Sequence, residues 1–114
     1  TFVTRDAIKV NDETIMYKDI KASNVDIYVH ATPIGTYPNH KTSILERELV
    51  NRKRVIDLVY KPENTKILSF TKRGTNGVDM LMIQALKSLS IWLEQEIELT
   101  PALYKKLKDV IIHE

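Results

Sequence analysis

The sequence predicts an α/β fold with a mainly parallel sheet, flanked by helices and closed by two C-terminal helices. Three observations carry this. Short runs rich in β-branched and aromatic residues alternate with stretches of helical spacing, the signature of parallel strands joined by crossovers. The run VIDLVY (residues 55–60) is apolar except for Asp57, as suits a strand covered on both faces. Prolines and glycines gather after the strand-like runs, most densely in HATPIGTYPN (residues 30–39).

Taken in order, residues 1–4 read as a strand and residues 6–13 as a loop or single helical turn. TIMY (14–17) reads as a second strand and KDIKAS (18–23) as a short helical connection. VDIYV (25–29) is a third strand. SILERELV (43–50) has Ile44, Leu45, Glu48 and Leu49 at helical spacing, with Ser43 as N-cap. VIDLVY is the fourth strand. After Pro62, Ile67, Leu68 and Phe70 form an inner face, and Gly74 sits where a left-handed C-cap is expected. TNGVD is a turn or a strand stub. Residues 80–93 form the clearest helix, with Met80, Leu81, Ile83, Leu86, Leu89 and Leu93 on one stripe. Thr100-Pro101 caps a last helix whose stripe is Leu103, Leu107, Val110 and Ile111.

Composition narrows the function. The 114 residues fit one modest domain; 43% are hydrophobic and 28% charged, the mix of a folded globular chain. A net charge of +2 does not point to nucleic acid or a membrane surface, and the triplet Arg52-Lys53-Arg54 reads as a solvated loop before a strand. The absence of cysteine excludes disulfides, zinc-thiolate sites and thiol catalysis. No apolar run reaches the roughly 18 residues of a membrane span. No signal peptide is recognised, so a cytoplasmic location is expected. His40 and His113 have no ligand-spaced partner, and no metal is assigned. Because TFVTR reads as a strand from its first residue, the chain is expected to be a piece of something longer. In a parallel sheet, ligands sit at the carboxyl ends of strands. The loops after Val29 and around Tyr60-Lys61-Pro62 are therefore the candidate site.

Three stretches in order, ATPIGTYPN (31–39), DLVYKPENT (57–65) and NGVDMLMIQAL (76–86), resemble the C-terminal half of shikimate dehydrogenase, which reduces 3-dehydroshikimate with NADPH in aromatic amino-acid synthesis. The resemblance covers residues 24–93 well. It implies that residues 1–114 are the C-terminal part of a Rossmann-like NADP-binding domain, with the first strand, the phosphate loop and the N-terminal catalytic domain absent. Only Gly35, Gly74 and Gly77 are present, and none is arranged as a phosphate loop. The catalytic lysine and aspartate of the family have no counterpart, so no catalytic residue is assigned and this chain alone is expected to be inactive. An exposed sheet edge then invites self-association or pairing with the missing domain.

Carried over residue by residue, Thr4 and Arg5 bind the cofactor, with Arg5 clamping the adenosine 2′-phosphate. Thr32, Pro33 and Ile34 line the cofactor, and Leu58 touches it through its main chain. Gly77 accepts the nicotinamide amide at its carbonyl, and Met80 packs on the ring. Tyr60 points its hydroxyl at the substrate carboxylate. Gln84, read as lying on the inner face of the long helix, hydrogen-bonds the substrate. Asp57 is read as anchoring nearby backbone N–H groups. The sequence departs from the family at Thr4, at Asp6, at Asp79 and at His30, to the last of which a structural or neutral role is given. The alternatives are a quinate/shikimate dehydrogenase of broader specificity and a non-enzymatic module on a half-Rossmann scaffold.

Overall fold

The computed structural model describes residues 1–113. Two parallel sheets organise it. In the first, β1 (Phe2–Thr4) pairs with β2 (Thr14–Met16). In the second, β3 (Ile27–His30), β4 (Arg54–Asp57) and β5 (Arg73–Thr75) run in that order, all parallel. Three-residue 3₁₀ turns at Ala7–Lys9, Tyr17–Asp19 and Ala22–Asn24 make the connections along the first part of the chain. The loop and short helical connection expected there are thus realised as 3₁₀ turns.

Strand alternation decides what is buried. Tyr28, His30, Val55 and Asp57 point to one face of the second sheet and are buried. There Tyr28 and Val55 join Leu45, Val50, Ile67 and Leu68 in the core. The crossovers that cover this face are short: α1 (Arg47–Val50) is one turn, and the next is a 3₁₀ turn at Leu68–Phe70. The opposite face carries Ile27, Val29 and Ile56, and Val29 is 64% exposed. The sheet is therefore covered on one face only, against the two-sided burial expected from its apolar strands.

Several boundaries differ from the expectation for physical reasons. The helix expected over residues 43–50 shrinks to α1. Ser43 does not cap it: its hydroxyl donates to Leu45 O at 2.7 Å and accepts Leu45 N–H at 3.3 Å, closing a local turn that competes with helix. The fourth strand stops at Asp57 rather than Tyr60. Leu58 N–H still reaches His30 O at 2.9 Å, but Val59 N–H turns onto the Asp57 carboxylate at 3.0 Å, and the chain leaves the ladder. Gly74 lies inside β5 and not at a helix end; a Cβ there would come within 2.7 Å of Leu68 Cδ2. In the basic triplet, Arg52 is an exposed turn residue. Lys53 is tethered, its ammonium donating to Val25 O at 2.7 Å, and Arg54 opens β4.

The two C-terminal helices are present, α2 (Val78–Trp92) and α3 (Pro101–His113). The buried residues of α2 are Val78 and Met82, whereas Ile83, Leu89 and Leu93 of the expected inner stripe are exposed. Thr100 Oγ1 accepts Leu103 N–H at 3.3 Å, as an N-cap does. Val110 of the α3 stripe is exposed, while Leu103, Leu107 and Ile111 are partly covered. Tyr104 donates its hydroxyl to Asp79 Oδ1 at 2.8 Å and so ties α3 to the first turn of α2. Among the described residues, no helix is long and apolar enough to cross a membrane.

Burial this uneven separates two isoleucines of the same chemistry. Ile67 is 2% exposed and Ile91 74%. Ile67→Ala should cost about 2–5 kcal/mol in urea unfolding, and Ile91→Ala less than about 0.5 kcal/mol. Equal losses would mean that the core is misplaced.

Candidate functional site

The carboxyl ends of β3 and β4 lie side by side, because the parallel register sets His30 opposite Asp57. The chain leaves each strand within a residue or two of that pair, and the two exits form a cleft of about 420 Å³. One wall is Ala31, Thr32, Pro33 and Thr36; the other is Leu58, Val59, Tyr60 and Lys61.

A buried polar chain ends on one of these residues, Thr32. His30 Nδ1 lies 2.9 Å from Asp57 Oδ1, and His30 Nε2 lies 2.5 Å from Thr32 Oγ1. The other Asp57 oxygen accepts the hydroxyl of Thr65. Asp57 is fully buried and His30 only 4% exposed. Burial by itself would raise the Asp57 carboxyl, but the hydrogen bonds from His30, Thr65 and Val59 N–H outweigh it, so the group sits below the usual carboxylate range. Its bond from Val59 N–H is the anchoring role expected from sequence. The structural role given to His30 is likewise visible in its two bonds.

Glycine is required at two points. Gly35 has φ +100°, which L side chains rarely adopt, and it lets the first loop double back against Thr65. Gly77 donates its N–H to Val59 O at 3.0 Å, and a Cβ on it would stand 2.1 Å from Leu58 O. A side chain at Gly77 would therefore collide with the chain's own backbone. The Gly77 carbonyl accepts Leu81 N–H at 3.0 Å, the first bond of α2.

Of the residues singled out from sequence, the cleft gathers Thr32, Pro33, Leu58 and Tyr60, which is 43% exposed. Ile34 stands just behind, its N–H on Thr32 Oγ1 at 3.3 Å. Met80 is 36% exposed on α2, outside the cleft lining. Gln84 is exposed, not on an inner face: α2 buries the side that carries Val78 and Met82, and Gln84 does not share it. Thr4 and Arg5 lie at the end of β1 in the other sheet. There Thr4 Oγ1 accepts Asp6 N–H, and Asp6 caps the following 3₁₀ turn through Ile8 N–H at 3.0 Å. The departure at Asp6 thus has a local structural use. Thr36 and Lys61 lie in the two loops expected at the site and line the cleft, although no role is given to either from sequence; sequence reasoning missed the link from His30 to Thr32. Two polar residues at matched ends of apolar strands were the available signal.

A parallel α/β sheet with its cleft across adjacent carboxyl ends is the arrangement of a Rossmann-like domain. The comparisons agree. A curated relative, the shikimate dehydrogenase (NADP(+)) of Clostridium beijerinckii, is 32% identical over 95 residues, covering 77% of this chain and 35% of the relative. A chorismate mutase/shikimate 5-dehydrogenase fusion protein from Clostridium acetobutylicum superposes with a TM-score of 0.80 at 29% identity, over 97% of this chain and 42% of the fusion. A shikimate dehydrogenase crystallised in complex with NADP+ superposes at 0.74 with 31% identity, over 88% and 35%. No family model matches. The chain is a homologue of shikimate dehydrogenases and corresponds to their C-terminal part. It spans about a third of the length of the curated relatives it matches.

The depressed Asp57 carboxyl gives a pH prediction. A group whose folded pKa lies below its unfolded value adds stability above the unfolded pKa, and that stability is lost as pH falls through the folded one. The chain should therefore lose stability on acidification below about pH 4. Asp57→Asn should be less stable at neutral pH by about 1–3 kcal/mol and should show a weaker acid decline in thermal melts. An unchanged acid decline in the variant would remove Asp57 as its source.

Proposed function

We propose that residues 1–114 are the C-terminal part of the NADP-binding domain of a cytoplasmic shikimate dehydrogenase. The reaction is the reversible reduction of 3-dehydroshikimate to shikimate in aromatic amino-acid biosynthesis. The observation that supports this best is the cleft itself: residues from two of the stretches that resemble the family, 31–39 and 57–65, meet there as opposite walls.

A volume of about 420 Å³ is at the lower end of small-molecule sites and suits one end of a dinucleotide. Thr32, Pro33, Ile34 and the main chain of Leu58 would hold the cofactor from one side. Gly77 and Met80 would flank the nicotinamide, and Arg5, with Thr4, would meet the 2′-phosphate. When bound, NADP supplies or accepts the hydride. The chain's own task is orientation. Its loops are pinned by the His30–Asp57–Thr65 bonds, so the walls need little reordering to receive a ligand, which lowers the cost of binding. Tyr60, exposed at the mouth, would donate its hydroxyl to the substrate carboxylate. Gln84, exposed on α2, would reach a substrate held between this chain and a further domain. The acid-base pair would come from that domain, so these residues alone would turn over no substrate. The unpaired edge of β3 would accept a strand from a second copy of the chain.

Tyr60→Phe, made in the enzyme that carries this chain, should lower kcat/KM for shikimate about ten- to a hundredfold, the value of a charged hydrogen bond. KM for NADP+ and the melting temperature should hold, because the hydroxyl faces the substrate. Intact kinetics with a melting temperature several degrees lower would make Tyr60 a structural tyrosine and remove the substrate half of the proposal.

A further inference from the structure

His30 faces two partners of different kinds. Asp57, with its carboxyl held below the usual range and accepting from Thr65 and Val59 N–H, is an acceptor only. His30 Nδ1 must then carry a hydrogen, because two facing acceptors would repel. In the neutral ring this leaves Nε2 as a lone pair, and its neighbour is the Thr32 hydroxyl at 2.5 Å. That hydroxyl has one hydrogen, which goes to Nε2. One oxygen lone pair of Thr32 receives Ile34 N–H. The other remains for the cleft, which Thr32 lines.

We propose that His30 is a specificity-determining residue: oriented by Asp57, it takes the Thr32 hydrogen and presents Thr32 to the cleft as a hydrogen-bond acceptor. The group bound against Thr32 is then a donor, a sugar hydroxyl or a carboxamide N–H, and not an oxyanion. Applied to the dinucleotide, this rests on the function proposed above. It sets Thr32 against the sugar or carboxamide end and not against the pyrophosphate, whose oxygens only accept. An imidazolium at His30 would reverse the polarity, since Nε2–H would donate to Thr32 and free its hydroxyl toward anions.

Nitrogen NMR of isotope-labelled histidine in the ligand-free chain at neutral pH decides the proposal directly. The expected spectrum has His30 as the Nδ1–H tautomer with a hydrogen-bonded, unprotonated Nε2. Thr32→Val should shift Nε2 toward its unbonded position and leave Nδ1–H in place, and Thr32→Ser should restore the original signal. An Nε2–H tautomer or an imidazolium would overturn the proposal. Titrations of NADP+ and of inorganic pyrophosphate then read the consequence. Thr32→Val should weaken NADP+ about two- to tenfold, as the loss of a neutral hydrogen bond does, with Thr32→Ser retaining affinity and pyrophosphate unaffected. Parallel weakening of pyrophosphate would also overturn the proposal. No NADP+ binding, with the Nδ1–H tautomer intact, would uphold the role of His30 and count against the dinucleotide reading instead.

Discussion

The buried contact between His30 and Asp57 is the constraint on which the rest of the site depends. It joins the ends of two neighbouring parallel strands at the point where the chain leaves each of them. A buried carboxylate is tolerated only when its lone pairs are satisfied. Asp57 meets this with His30 from β3, Thr65 from the next crossover and its own Val59 N–H. Satisfying one charge thus fixes three segments of backbone. The same bonds turn the chain out of the ladder after β4 and open the space between the two loops. Gly35 and Gly77 complete the arrangement, the first by its positive φ beside Thr65 and the second by its closeness to Leu58 O.

The covering of the molecule is as one-sided as its site is well tied. The core lies between one face of the second sheet and two single-turn crossovers, while Ile27 and Val29 on the other face remain open. On α2 only Val78 and Met82 are buried, and Trp92 is 78% exposed. Tyr104 ties α3 to Asp79 of α2, and Lys108 of α3 reaches Glu63, outside the two helices, at 3.5 Å. The latter pair is solvent-exposed and adds at most about 1 kcal/mol.

The parallel α/β order was legible because strand and helix periods differ and the β-branched runs stand apart. The cleft was legible for a related reason: Thr32, Leu58 and Tyr60 directly follow strand ends, and ligands in such sheets gather there. Other features were not. Ser43 looks like an N-cap from its position, but its bonds to Leu45 make a turn, a competition that composition does not reveal. Gln84 was placed inward because α2 is apolar on more than one side, and periodicity cannot say which side finds a neighbour. VIDLVY suggested burial on both faces for the same reason. The partner of His30 is not legible in the sequence, because Asp57 lies 27 residues away and only the register brings the two together. Asp6 and Asp79, which break the family pattern, each accept a hydrogen bond that no motif would announce, Asp6 from Ile8 N–H close by and Asp79 from Tyr104 on the next helix.

A double-mutant cycle on His30 and Asp57 tests the central claim most directly. His30→Leu, Asp57→Leu and the double variant would be compared by chemical unfolding of the chain at neutral pH. If the two side chains form one unit joining the strand ends, the single losses should overlap strongly, with a coupling of about 1–3 kcal/mol. Losses that add to within about 0.5 kcal/mol would mean that the residues act independently and that the contact does not hold the cleft.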